Sequence, residues 1–377
     1  DENSHLFHLY IREEHYGMIA LTTAQIIAIV IFVVVMALII SEKVHRTTAA
    51  LAGAVALILS GVLTFDNGVE HIDFGTLGVL VGMMIFVAVV KNSGIFEYLA
   101  IRAAKLAKGN PWIIMVLFCL ITAVLSAFLD NVTTVLLIGP VTYTVCKMLE
   151  INPIPFFLTE IISSNVGGTA TLIGDPPNII IGTSLGYTFF DFIENTGAVV
   201  AICFVFMLIY FTLCFRKELE RAEHANGGPV TCPEPSTAIT NKKAFLASAG
   251  VFLLAVVLLI THAQTELSVA CIGVIVAILT MIVLGLTSGK KSVIEIIKGV
   301  DYKTLLFFIG LFVSVAGLEK TGVLNMIANF ITSVSEGNIA VIVIVILWLS
   351  AITSAFVDNI PFAATMIPVI RAIAATE

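Results

Sequence analysis

The sequence predicts an all-α polytopic membrane protein made of two inverted repeats. Each repeat is expected to hold about five spanning helices, a re-entrant hairpin and a broken helix, with the second repeat truncated. Three observations predict this. Of the 377 residues, 59% are hydrophobic and only 12% charged, with a mean hydropathy of +1.06, whereas a soluble domain carries about 25% charged residues. Apolar runs long enough to cross about 30 Å of hydrocarbon recur along the chain. Finally, Ser126-Ala127-Phe128-Leu129-Asp130-Asn131 returns 228 residues later as Ser354-Ala355-Phe356-Val357-Asp358-Asn359, each copy inside such a run. An ionised carboxylate there costs about 2.5–3.5 kcal/mol on insertion scales, and the chain bears that cost twice at matching places.

The chain opens with an acidic tail, 1–20, in which His5, His8 and His15 read as solvated residues rather than a metal site. It starts at Asp1 without a methionine, which reads as a processed or trimmed end. No cleavable signal peptide is expected, because the first apolar stretch is long and follows the acidic tail. Apolar segments then follow at roughly 21–40, 47–63, 74–90, 112–148, 154–185, 196–215, 244–261, 267–286, 303–318 and 338–370. Two of these, 112–148 and 338–370, are too long for one span, and each carries the Asp-Asn pair near its middle. A charged, turn-favouring pair at that depth breaks a helix, so both are expected to be re-entrant hairpins. The segment 154–185 is expected to break as well, at Gly167-Gly168 and at Gly174-Asp175-Pro176-Pro177, where glycine and proline interrupt the hydrogen-bond ladder. Irregular backbone at membrane depth is tolerated only where it is buried or lines a cavity.

The organisation expected is a tail at 1–20, a first transmembrane repeat at 21–215, a cytoplasmic linker at 216–243 and a second, incomplete repeat at 244–377. The linker is marked by Gly227-Gly228-Pro229 and Pro233-Glu234-Pro235. With the N-terminus outside, only Arg12, Lys320 and Arg371 of the 19 basic residues fall outside; the other sixteen fall inside, a strong positive-inside bias. The bias depends on both hairpins being re-entrant. Residues 73–140 align with 301–368 without a gap, and 18 of the 68 pairs are identical, among them Asp73/Asp301, Gly94/Gly322, Asn110/Asn338 and Pro140/Pro368. An odd number of crossings per repeat turns the second copy upside down, the architecture of secondary transporters. By the same symmetry a second copy of 163–178 would begin near position 391, beyond Glu377.

The net charge of −7 with no basic patch excludes nucleic acid as a partner. Cys119, Cys146, Cys203, Cys214, Cys232 and Cys271 are scattered without CxxC spacing, and all but Cys232 lie in apolar segments and read as small hydrophobes. The candidate binding residues are Ser126, Asp130 and Asn131 at the first tip and Ser354, Asp358 and Asn359 at the second, where the carboxylates serve an ion or proton, or cap the following half-helix. A second constellation lies at 163–178. Gly167 and Gly168 let backbone approach a ligand, and Ser164, Asn165, Thr169, Thr171 and Asn178 add hydroxyl and amide groups. Asp175 before Pro177 is either a third buried carboxylate or a turn residue, and Glu160 faces the same cavity or the inner surface. Lys91 and Glu319 read as snorkelling ends, Trp112 and Trp348 as interfacial or packing aromatics.

The stretches SAFLDNVTT, SSNVGGTATLIGDPPN, DYKTLLFFIGLFV and SAFVDNIPFAATMIPV resemble the ion transporter superfamily, over roughly 21–377. The branch is the citrate-transporter-like one that includes P-protein-like, arsenite-efflux and NhaD-type permeases. The resemblance implies a secondary active transporter in a bacterial inner membrane, possible as a homodimer, with no enzymatic activity and no cofactor. It implies transport, coupled to H⁺ or Na⁺, of a small ion such as arsenite or a citrate-like anion, or cation/proton exchange. Sodium would bind at Asp130, Asn131, Asp358 and Asn359, against the partner loop 167–178. In related divalent-anion symporters Ser-Asn-Thr stands at the tips. Here Asp replaces Ser, and Val132 and Ile360 replace Thr, which counts against a dicarboxylate and favours proton-linked exchange. Two other classes fit parts of the pattern: an ion channel, and an intramembrane aspartyl protease using Asp130 and Asp175.

Overall fold

The computed structural model describes residues 21–225, 234, 236, 239 and 241–375, with the backbone alone for 221–225. The histidines of the tail, Gly227-Gly228-Pro229 and Cys232 lie outside the described residues. Among those described, all regular structure is helical: α1 (Thr23–Ser41), α2 (Arg46–Leu59), α3 (Phe65–Glu70), α4 (Phe74–Asn92), α5 (Ile95–Leu106), α6 (Pro111–Ser126), α7 (Asn131–Met148), α8 (Ile154–Gly168), α9 (Pro176–Leu185), α10 (Phe189–Ala225), α11 (Lys242–Thr265), α12 (Val269–Ser288), α13 (Lys290–Lys298), α14 (Tyr302–Lys320), α15 (Val323–Val334), α16 (Ile339–Ser354) and α17 (Asn359–Ala374). Among the described residues six helical stretches are long and apolar enough to cross a membrane, and five shorter apolar helices accompany them. This is a polytopic membrane protein. Each overlong apolar segment is indeed two helices, α6/α7 and α16/α17, broken at the Asp-Asn pair, and 154–185 is broken between α8 and α9.

The internal duplication recurs at the level of single hydrogen bonds. Asp73 caps α4 by accepting from the Thr76 amide at 2.9 Å and the Thr76 hydroxyl at 2.6 Å. Asp301 does the same before α14, accepting from the Thr304 amide at 3.1 Å and its hydroxyl at 2.6 Å. Gly94 and Gly322 start α5 and α15 with φ of 80° and 78°, a left-handed conformation that glycine adopts without a Cβ penalty. Asn110 and Asn338 then cap α6 and α16, satisfying amides that a helix start leaves without partners. The short helices α5 and α15 were not among the expected segments. They are amphipathic rather than wholly apolar, with Ala100, Ala103 and Ala104 buried on one face of α5 while Arg102 and Lys105 stay outside the buried set.

The helices form two compact units, one comprising Asp73–Leu305 and the other the described residues of Asp1–Ile72 with Leu306–Glu377. Each repeat contributes to both. In the first unit α4 packs parallel to α12. Gly78 faces Ala270, and Gly82 sits so close to Gly273 that a Cβ on Gly82 would strike the Gly273 backbone. Ile85, Val89, Ala277, Leu284, Ile296 and Val300 continue that seam as a buried cluster. In the second unit α14 packs parallel to α2, where a Cβ on Gly310 would lie 2.6 Å from the Ala50 carbonyl carbon and one on Gly317 2.8 Å from Leu57. In element order α4 is the counterpart of α14, and α2 of α12. The same close parallel pairing is therefore made twice with the repeats exchanged. Small residues let helix backbones approach where, in lipid, burial of apolar surface supplies no drive.

Candidate functional site

The first tip is built by α6, the turn 127–130 and α7. The Asp130 backbone is extended (φ −63°, ψ 151°), and its Oδ1 accepts from the Thr133 amide at 2.8 Å, so the carboxylate is the N-cap of α7. Its Oδ2 has no hydrogen-bond partner among the described residues, and the group is half-buried. It can therefore cap the helix with one oxygen and meet a ligand with the other.

Beside this tip lies the unwound stretch between α8 and α9. The two parts are in strict register. The Ser163 hydroxyl donates to the Cys119 carbonyl at 2.5 Å, Gly167 packs on the Ala123 backbone, and the Thr171 hydroxyl donates to the Ala127 carbonyl. Each contact joins residues 44 apart, which means that α6 and α8 run parallel and break at the same level. The Asn131 amide nitrogen donates to Asn165 Oδ1 at 2.7 Å and ties the tip to the end of α8. Asn178 holds the unwound stretch by donating to the Gly168 carbonyl at 3.1 Å and the Thr171 carbonyl at 2.8 Å. The Thr196 hydroxyl, from α10, donates to the Thr169 carbonyl at 3.0 Å.

The glycines have a steric reason. A Cβ on Gly168 would lie 2.8 Å from the Gly174 carbonyl oxygen, and one on Gly174 would lie 2.7 Å from the Ser126 carbonyl oxygen. Gly168 and Gly174 let the two ends of the unwound stretch meet over the tip. Pro177 is buried in the first turn of α9, and Asp175 stands at the N-cap position, where its carbonyl accepts from the Asn178 and Ile179 amides while its side chain makes no cap bond.

Not every candidate residue faces this junction with a free group. The Ser164 hydroxyl is buried and donates to the Ile161 carbonyl at 2.8 Å, and the Thr169 hydroxyl donates to the Asn165 carbonyl at 2.9 Å. Ser126 is fully buried with its hydroxyl unpartnered. Among the described residues no group of three or more His, Cys, Asp and Glu could hold a metal ion.

The second tip, in the other unit, is built differently. Asp358 precedes α17 and accepts from the Ile360 amide at a long 3.4 Å. Its Oδ2 pairs with the Arg46 guanidinium at 3.4 Å, and that guanidinium also lies over the Phe307 ring at 5.2 Å from its centroid. Ser354, the counterpart of buried Ser126, is exposed. Sequence reasoning placed Arg46 in an inner loop and missed this pair, whose members are 312 residues apart. No local pattern announces it. Trp112 is exposed, its indole N–H donating to the Thr212 hydroxyl at 3.2 Å.

Residues 36–377 match the pattern described as citrate transporter. The chain belongs to the citrate transporter family. Within its reach are an uncharacterized transporter of Mycobacterium tuberculosis, 38% identical over 93% of this chain and 81% of the relative, and a 46 kDa membrane protein of Mycobacterium leprae, 36% identical over 93% and 82%. The human P protein is 34% identical over 96% of this chain and 52% of its own length. A family of membrane transporters is the setting in which paired broken helices have to be read.

Proposed function

We propose that the protein is a secondary active transporter of a small ion, coupled to H⁺ or Na⁺ and working by alternating access. The observation that carries this reading is the junction at Asn131 and Asn165. Two parallel helices, α6 and α8, break at one level, and an amide–amide bond of 2.7 Å joins the breaks. Broken helices present unpaired backbone groups: N–H groups of a half-helix N-terminus suit an anion, and unwound carbonyls suit a cation. Here the N-terminus of α7 carries the fixed charge of Asp130.

That charge favours a cation or proton at the tip, with Asn131 as a neutral oxygen donor, and makes proton-linked ion exchange a better fit than uptake of a dicarboxylate. Citrate-like carboxylates and arsenite remain the substrates to screen first, because the family and its resemblance supply them. The tips at Asp130 and Asp358 would act as re-entrant hairpins in a bacterial inner membrane, with the N-terminus outside, the 216–243 linker cytoplasmic and the protein working as a homodimer. The test is flux into proteoliposomes under imposed pH or Na⁺ gradients. A gradient-driven, saturable flux supports a transporter; unitary currents with no counterflow would replace this reading by a channel.

A further inference from the structure

Buried polar atoms in folded proteins nearly always find a partner, so each exception asks for a reason. Among the described residues four buried side-chain atoms have none: Thr122 Oγ1, Ser126 Oγ, Glu160 Oε2 and Ser335 Oγ. Three of the four lie in one interface, between α6 and α8. Thr122 and Ser126 stand one turn apart on α6, and Glu160 lies on α8 one turn before Ser163, which bonds Cys119 of α6. The three residues have no measurable solvent exposure. Along α6 they succeed one another toward the tip at Asp130: Glu160 beside Cys119, then Thr122, then Ser126.

Glu160 is the only acidic residue of α8. The Thr142 hydroxyl of α7 donates to its Oε1 at 2.5 Å. The titratable groups near it are the Cys119 thiol of α6 and the Cys146 thiol of α7. On α10, which also packs against α8, residues 195–215 carry no charged side chain, and Cys203, Tyr210 and Cys214 are exposed. No cation pairs with Glu160 among the described residues. An unpaired carboxylate in such a place sheds its charge by binding a proton. A proton on Oε2 would make that oxygen a donor. The repeat adds a contrast. Ser350, the counterpart of Thr122, donates to its own helix at the Ile346 carbonyl, 2.6 Å away, whereas Thr122 leaves its hydroxyl without a bond.

We infer that the α6–α8 seam is a proton-binding site, with Glu160 as the acid that holds and releases the proton and the hydroxyls of Thr122 and Ser126 as steps toward the tip. Release leaves the Glu160 carboxylate behind. The proton passes to a hydroxyl or a water in the seam, which gives up its own proton onward to the Asp130 carboxylate. Glutamate, histidine and aspartate chains of this kind serve as proton relays in membrane proteins. The role in coupling rests on the transport reading above, but the site itself does not.

The test therefore needs no substrate. In lipid-reconstituted protein, infrared difference spectra across a pH titration should show a protonated-carboxyl carbonyl band. The band should be lost in Glu160→Gln, kept in Asp130→Asn, and shifted in Thr142→Val, which removes the bond to Oε1. It should fade as pH rises, move on transfer to D₂O before the core amides exchange, and move more slowly when Thr122→Val and Ser126→Ala are combined. A spectrum with no band that responds to Glu160→Gln or Thr142→Val overturns the inference, because Glu160 is then ionised. A band that neither titrates nor exchanges ahead of the core amides overturns it too, because the acid is then sealed. Should Glu160→Gln fail to fold, the Thr142→Val shift and the exchange order in the unaltered protein decide the matter. Gradient-driven flux measured in parallel separates failure of this inference from failure of the transport reading.

Discussion

At Asp130 two roles can be pulled apart by two substitutions. Oδ1 caps α7 through the Thr133 amide at 2.8 Å, and Oδ2 is left for a ligand. Asn caps a helix as well as Asp does, whereas Ala cannot, and losing an N-cap costs about 1 kcal/mol within a range of about 0.5–2. Asp130→Asn also removes a negative charge from the positive end of α7, worth about 0.3–1 kcal/mol. Against that, it relieves part of the roughly 2.5–3.5 kcal/mol needed to hold a charge at membrane depth. The net prediction is that Asp130→Asn unfolds at or above the wild-type temperature, while Asp130→Ala is less stable than Asp130→Asn by about 1 kcal/mol, roughly a fivefold change in the folded-to-unfolded ratio. Ion-driven flux should be lost in both. Thermal unfolding of purified protein in one detergent, with flux measured on the same preparations, reads the two effects separately. Equal destabilisation by Asn and Ala would show that the charge itself holds the turn. Wild-type flux in a stable Asp130→Asn protein would remove Asp130 from the ion site.

Three further outcomes follow from the geometry. A double-mutant cycle on Asn131→Ala and Asn165→Ala should give a coupling of about 0.5–1.5 kcal/mol, and independent effects would mean that the two breaks are not joined. Gly167→Ala pushes a methyl into the Ala123 backbone and should cost about 1–3 kcal/mol in thermal or denaturant unfolding; a neutral substitution would contradict the parallel packing of α6 on α8. Arg46→Gln should change stability by less than about 1 kcal/mol, because the pair with Asp358 is long and partly exposed. It should nevertheless alter the ion dependence of flux by uncovering the Asp358 charge, and an unchanged dependence would make the pair incidental.

The legible part of the fold is the part written in local chemistry. Asp130 and Asp358 could be read as helix caps because capping is a matter of one side chain and an amide two or three residues on. The breaks at Gly168 and Asp175 could be read because glycine and proline act on their own backbone. The short α5 and α15 fall outside the expected segments because twelve residues with one polar face leave no long apolar run in the sequence. The site was legible in its tip and loop but not in its connections. Asn131 finds Asn165 across 34 residues and Arg46 finds Asp358 across 312, contacts that packing creates and no short pattern contains. Ser164 illustrates the opposite error. Its residue type suits an ion site, yet its hydroxyl is spent on the Ile161 carbonyl. Glu160 was ambiguous in sequence because only burial against α6 and α7 gives a lone carboxylate its character.

The central claim is that the two Asp-Asn tips couple one ion to the movement of another. Its most direct measurement is the uptake of candidate ions, citrate and arsenite first, into proteoliposomes under an imposed pH or Na⁺ gradient, comparing wild type with Asp130→Asn combined with Asp358→Asn. Gradient-driven uptake that is present in wild type and absent in the folded double variant is the predicted result. Uptake that persists unchanged in the double variant would contradict it.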